Sequence, residues 1–207
     1  MASFIRSIRR LLPMPTISSY NDLRIAETVY AKTQRYVPTK YSPIAGERFV
    51  LDFGGGCGVH YVESQARYSR WAIVETITMV NKARSYHRPR NVEWFEDIAS
   101  AVAWLGSTPE LIICNGALQY CVNTHAILYD LCSLKADTIV WRRTNLSNHT
   151  PYVQHSFLSD HGPGVAIGPE AHVLTWVYPM QLEVFLDAHW EYEGKETNDE
   201  WIFRRKA

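Results

Sequence analysis

Asp52 and Glu75, with four glycines in the five positions from Gly54 to Gly58, are the residues whose types and spacing most directly imply chemistry. Asp52 closes an apolar run that begins at Phe49, and the glycines lead into a segment with helical character from about Val59. A strand that passes through glycines into a helix leaves backbone N–H groups free and lets a ligand approach the main chain closely. Spacing narrows the ligand. A dinucleotide fingerprint, G-x-G-x-x-G/A, begun at Gly54 would need Gly or Ala where Val59 stands, and begun at Gly56 it would meet Tyr61. A phosphate loop would need Gly-Lys-Ser/Thr, which the chain lacks. Asp-x-Gly-x-Gly-x-Gly, from Asp52 through Gly58, is satisfied throughout. Glu75 ends a second apolar run, Trp71–Val74, and lies 17 positions beyond Gly58. That is close to where a Rossmann-type unit places the carboxylate that grips ribose hydroxyls.

The elements that must position these groups alternate between strand and helix patterns, which predicts a parallel sheet covered on both faces. Asn91–Phe95 reads as a third strand, and Asp97 caps a helix that runs to Leu105 and stops at Gly106. Glu110–Cys114 reads as a fourth strand opening into Asn115, Gln119 and Tyr120, and Asp137–Arg142 as a fifth closed by Arg143 and Thr144. A final pair, Trp190–Gly194 and Glu200–Arg204, makes the expected fold an α/β, Rossmann-like, seven-stranded, mostly parallel sheet with a C-terminal antiparallel strand pair. Ahead of the sheet, Asn21 or Asp22 caps a helix toward Tyr36. Between Asn145 and Ala171 the periodicity fails, and prolines and glycines punctuate a long connector carrying His149, His155 and His161. Their spacing matches no ligand pattern, so no metal site is expected.

A chain of 207 residues with zero formal net charge is one ordinary domain, and its charge balance argues against a nucleic-acid partner held by bulk electrostatics. The four cysteines form no Cys-x-x-Cys pair, which fits a reducing, cytoplasmic setting. The first 18 residues stand apart from the domain at 19–207: Arg6, Arg9 and Arg10 alternate with Phe4, Ile5, Ile8, Leu11 and Leu12 at helical spacing until Pro13. Three readings stay open for this segment. It is a basic amphipathic anchor touching an anionic membrane through residues 1–12, an organellar transit peptide, or a terminus that packs on a neighbour.

The Asp52–Gly58 spacing resembles motif I of the class I S-adenosylmethionine (SAM) methyltransferases. Asp-Phe-Gly-Gly-Gly, Trp-Ala-Ile-Val-Glu at Trp71–Glu75, Leu-Gln-Tyr at Leu118–Tyr120 and Arg143-Thr144 occur in that order. Together with Ser19-Tyr20-Asn21-Asp22 and Gln154-His155, they resemble a bacterial methyltransferase family associated with surface-polysaccharide (O-antigen type) biosynthesis. The chain departs from that family in a short Pro38–Phe49 segment and in Asn145 where a proline is usual, both on the acceptor side. The resemblance implies a SAM-dependent enzyme that methylates a small acceptor, a sugar hydroxyl or amine. Asp52, Gly54, Gly56 and Gly58 would then receive the methionine portion, Glu75 the ribose, Asp97 and Ile98 the adenine, with Asn115 near the methyl. Gln119, Tyr120, Arg143 and Thr144 would meet the acceptor, and His155, Tyr120 and Arg143 are the catalytic candidates, His155 as base. Two other classes fit the same sheet. One is a SAM-binding scaffold without catalysis; the other is a nucleotide-dependent oxidoreductase or sugar-nucleotide enzyme, which the glycine spacing disfavours.

Overall fold

The computed structural model describes residues 14–38, 48–64, 70–85, 89–165, 170–197 and 200–206. The expectations for Met1–Leu12 fall outside these residues. A short strand β1 (Thr16–Ile17) precedes helix α1 (Leu23–Arg35), whose first turn is capped by Asp22 accepting the Arg24 N–H at 2.9 Å. Next come β2 (Phe49–Phe53), α2 (Val59–Ser64), β3 (Arg70–Val74), α3 (Ile77–Arg84) and β4 (Val92–Phe95). They are followed by α4 (Ile98–Leu105), β5 (Leu111–Asn115), α5 (Thr124–Ser133) and β6 (Thr138–Arg142). The remainder is β7 (Tyr152–Phe157), β8 (His172–Val177), α6 (Leu182–Ala188), β9 (Tyr192–Thr197) and β10 (Glu200–Arg205).

Seven strands form one sheet in the order β4-β3-β2-β5-β6-β10-β9, with β2 to β6 parallel and β10 antiparallel to both its neighbours. Its central strands are apolar on both faces, which is why they read as continuous runs rather than alternations. Val50, Ile73 and Ile113 point into one cluster with Ile25 of α1 and Met79 of α3. Their neighbours Leu51, Val74 and Ile112 point into a second cluster with Leu105 of α4, Leu128 of α5 and Phe185 of α6. The expected α/β architecture with helices on both faces and a terminal antiparallel pair is the one observed.

The supposed connector, by contrast, is not irregular throughout. β7 pairs antiparallel with β8, and β8 pairs parallel with β1, giving a second sheet of order β1-β8-β7. Sequence patterning missed β7 because its polarity is inverted: Gln154 and Ser156 are the less exposed side chains, while Val153 and Phe157 face outward. Two residues ahead of the boundary expected at residue 19 are paired into this sheet. Thr16 and Ile17 register with His172 and Val173, and Ile17 is 1% exposed in the core.

Under the terminal strands lies His189, 2% exposed, with both ring nitrogens committed. Trp141 donates its indole N–H to Nε2 at 2.8 Å, Nδ1–H donates to the Phe185 carbonyl at 2.7 Å, and Phe203 stacks on the ring at 3.8 Å. Burial pushes its pKa from 6.5 down to about 4, partly opposed by the Phe185 hydrogen bond. A depressed value means that the contribution to stability is full above the unfolded value and fades as pH falls toward the folded one. The fold is therefore expected to lose about 3 kcal/mol between pH 7 and pH 4 through this group. Urea unfolding of the wild type and of His189→Gln at both pH values checks it; an equal acid loss in the two proteins would clear His189 of the effect.

Candidate active site

Strand order reverses between β2 and β5, and open α/β sheets bind ligands beyond the carboxyl ends of their strands at such a point. A cleft of about 1160 Å³ opens there. It exceeds the roughly 300–1,000 Å³ usual for a single small-molecule site, leaving room for a cofactor and a second molecule.

The floor of one half is the glycine turn. Gly54 has φ +72°, and a Cβ there would lie 2.1 Å from the Cβ of Ala117, so both conformation and packing require glycine. Gly55 is held to glycine from below, because a Cβ would approach the Asp52 carboxylate to 2.3 Å. Trp94 donates its indole N–H to the Gly56 carbonyl at 2.9 Å and so ties the turn to β4. Glu75 completes this wall: one carboxylate oxygen accepts the Gly56 N–H and the other the Thr76 N–H, each at 2.9 Å. Burial raises the Glu75 pKa, the two backbone hydrogen bonds oppose that rise, and the Asp52 charge adds to it. A partly desolvated carboxylate with spare lone pairs beside a cleft is suited to accept from vicinal hydroxyls. Further along, Asp97 caps α4 by accepting the Ser100 N–H at 2.7 Å and its hydroxyl at 2.8 Å, contacts that lower its pKa. Asp97 and Ile98 both line the cleft.

Not every residue expected in the cofactor set reaches the cleft wall. Asp52 is fully buried beneath the turn, bound to His60 Nδ1 at 2.9 Å and to the Trp71 indole N–H at 3.2 Å. Gly58 likewise sits behind the wall, where a Cβ would lie 3.3 Å from the Trp94 ring. Gly54, Gly56, Glu75, Asp97, Ile98 and Asn115 do line it.

The other half is built by the 3-10 turn Leu118–Tyr120, by β7 and by the segment after it. Tyr120 donates its hydroxyl to Gln154 Oε1 at 3.1 Å, and its ring lies 5.1 Å from that of Tyr20. Gln119 donates its side-chain N–H to the Arg143 carbonyl at 3.2 Å, while its own Oε1 is buried without a partner among the described residues. Arg143 lines the cleft; Thr144 does not, and among the described residues its buried hydroxyl has no partner either.

His155 is a correction. It lies on β7 between Gln154 and Ser156, and strand alternation turns it to the outer face, exposed and 6.5 Å from the His172 ring. It is not among the residues that line the cleft. Two histidines among the described residues line it: His60, held between Asp52 and Asn115, and His161, whose Nδ1 is 2.8 Å from the Tyr20 hydroxyl and whose Nε2 is 3.1 Å from Ser156 Oγ. Burial lowers the His161 pKa and raises that of Tyr20, so a neutral imidazole faces a protonated phenol. Sequence reasoning missed both roles. Tyr20 stood within the Ser19–Asp22 signature, but His161 had no local signal, because 141 positions separate it from Tyr20. Such a pair can take a proton from a bound nucleophile.

No protein-family model matches the chain, and no curated protein matches it in sequence. Solved structures do match in fold. The SAM-bound amino pentose methyltransferase CalS10 from Micromonospora echinaspora, of calicheamicin biosynthesis, aligns at TM-score 0.51 and 15% identity, covering 87% of this chain and 90% of its own. The sugar N-methyltransferase KedS8 from Streptoalloteichus sp. aligns at TM-score 0.52 and 14% identity, covering 90% and 89%. Streptomyces venezuelae DesVI aligns at TM-score 0.53 and 12% identity, covering 90% and 93%. The chain has the α/β Rossmann-like methyltransferase fold.

Proposed function

We propose that the protein is a SAM-dependent methyltransferase acting on a hydroxyl or amine of a small, sugar-like acceptor. The observation that carries this reading is the Glu75 carboxylate clamped to the Gly56 N–H at 2.9 Å, beside a glycine turn at the point where strand order reverses. That arrangement fits the ribose and the amino-acid end of SAM, and CalS10, whose fold is similar, was crystallised with SAM. The sugar acceptor is supported by the motif resemblance and by the sugar substrates in the descriptions of CalS10 and KedS8. A role in surface-polysaccharide biosynthesis belongs to the same proposal and rests on the motif resemblance.

When bound, SAM supplies an electrophilic methyl group. The chain's own part is to hold the nucleophile in line with it, exclude water and take up a proton. Alignment alone supplies much of such catalysis. A hydroxyl nucleophile would donate to the Tyr20 oxygen, and the Tyr20 proton would pass to His161 Nδ1, 2.8 Å away.

Calorimetric titration with SAM and its demethylated product tests the cofactor. Wild type should bind both. Glu75→Ala should weaken binding by about 1.5–3 kcal/mol, roughly 10- to 150-fold, with Glu75→Gln between the two because its amide still accepts one bond. If the wild-type protein takes up neither ligand, the proposal falls. If it binds and Glu75→Ala binds equally well, the ribose role of Glu75 falls.

A further inference from the structure

Arg143 is built into the cleft in an unusual way. It has φ +49°, a strained conformation for a residue with a side chain, and it stands just beyond the carboxyl end of β6. The Gln119 side chain holds its carbonyl at 3.2 Å, and its guanidinium lies over Gly116, where a Cβ would come within 3.4 Å of Nη2.

A chain of hydrogen bonds fixes its orientation from the core. Arg143 Nε can only donate, so the Asn115 atom 2.8 Å away is the carbonyl Oδ1. The Asn115 Nδ2 therefore faces His60 Nε2 at 2.9 Å and donates to it. The His60 proton is then on Nδ1, donated to Asp52 at 2.9 Å. Each partner is satisfied in this one assignment, and it spends only the Nε–H of the guanidinium. Among the described residues no hydrogen bond engages Nη1 or Nη2, and they belong to the one arginine or lysine of those residues that lines the cleft. The other charged lining residues include Glu75 and Asp97 on the cofactor side and Asp160 on the acceptor side. Among the described residues Arg143 has no carboxylate ion-pair partner, and its charge is felt by the phenols of Tyr20 and Tyr120, whose pKa values it lowers against the rise from burial.

We propose that Arg143 is the recognition point for an oxyanion on the acceptor, a carboxylate or phosphate taken by its two terminal nitrogens. The inference rests on the methyltransferase reading and adds a substrate class to it: a sugar carrying a negative group, as a uronate or as a phosphate-linked sugar. A planar fork held by Asn115 suits bidentate capture of such a group, and the Gly116 backbone beneath it leaves the outer edge open.

The test uses calorimetry with three probes, D-glucuronate, inorganic pyrophosphate and D-glucose, on protein free of and saturated with the demethylated cofactor product. At least one anionic probe should bind about 10- to 150-fold more tightly than glucose, the span of a charge-assisted hydrogen bond. Whichever anion shows the preference identifies its source. Arg143→Met should abolish the preference and leave the product's affinity unchanged. Arg143→Lys keeps the charge but not the fork, and should lose most of it. Three results would overturn the assignment: no anion preference in the wild type, a preference that survives in Arg143→Met, or a parallel loss of cofactor-product affinity, which would make Arg143 a ligand of the cofactor's own carboxylate. Absence of product binding in the wild type sinks the methyltransferase reading separately, while the product-free arm still decides what Arg143 binds.

Discussion

Asp52→Ala is expected to destabilise the fold by about 2–6 kcal/mol, because it leaves two buried N–H donors unsatisfied at about 1–3 kcal/mol each. Asp52 has no exposed surface, and both its oxygens are within 3.0 Å of His60 Nδ1. Truncation would strand that imidazole and the Trp71 indole N–H together in the core. It would also remove the support beneath Gly55, so cofactor affinity should fall with stability. Asp52→Asn keeps the shape and one acceptor, and should cost only about 1–3 kcal/mol. Urea midpoints for the three proteins decide the matter; an alanine variant as stable as wild type would show that the pair is idle.

His161→Phe is expected to lower kcat by roughly 10²–10⁴ for a hydroxyl acceptor, the range of a lost general base. The ring volume and the edge contact to Tyr20, at 5.2 Å, are retained, so cofactor binding should change little, while the Tyr20 hydroxyl loses its acceptor and stability should fall by about 1–3 kcal/mol. The pH profile supplies an independent check. Burial holds the His161 pKa below its ordinary 6.5, and the base works only when neutral. The wild-type rate should therefore rise through an acidic limb centred below pH 6.5, and that limb should disappear in the variant. An unchanged kcat and an unchanged limb would remove His161 from the mechanism. An amine acceptor that already carries a free lone pair would reduce the loss, so the size of the effect also reports on the methylated atom.

The glycine-turn half of the cleft was legible in the sequence because its determinants are local. A strand, a glycine turn and the next strand's terminal acid occupy consecutive stretches, so Gly54, Gly56 and Glu75 could be read by counting. Asp97 was legible for the same reason, since a cap and its helix are neighbours in the chain. Asp52 was recognised as significant, but its direction was not: a strand-end carboxylate can face the ligand or the core, and only the packing of His60 and Trp71 settles which. The acceptor half failed for a different reason. β7 turns its polar residues toward a polar cleft and its apolar ones outward, which defeats any reading that equates apolar with inward. His155 was chosen by residue type alone, and alternation along that strand gave the inward positions to its neighbours.

The strand β1 has a consequence for how the protein opens. It holds to β8 through two residue pairs, whereas β2, β5 and β6 are locked by four or five pairs along each edge they share. Tyr20 follows β1 by three positions, so the phenol that faces His161 hangs on the least anchored strand of the molecule's smaller sheet. Local opening draws on the regions with the fewest buried contacts, and its free energy there is a small fraction of the global value. The amides of β1 are therefore expected to exchange faster than those of β2 and β5, a difference that hydrogen exchange followed strand by strand would measure.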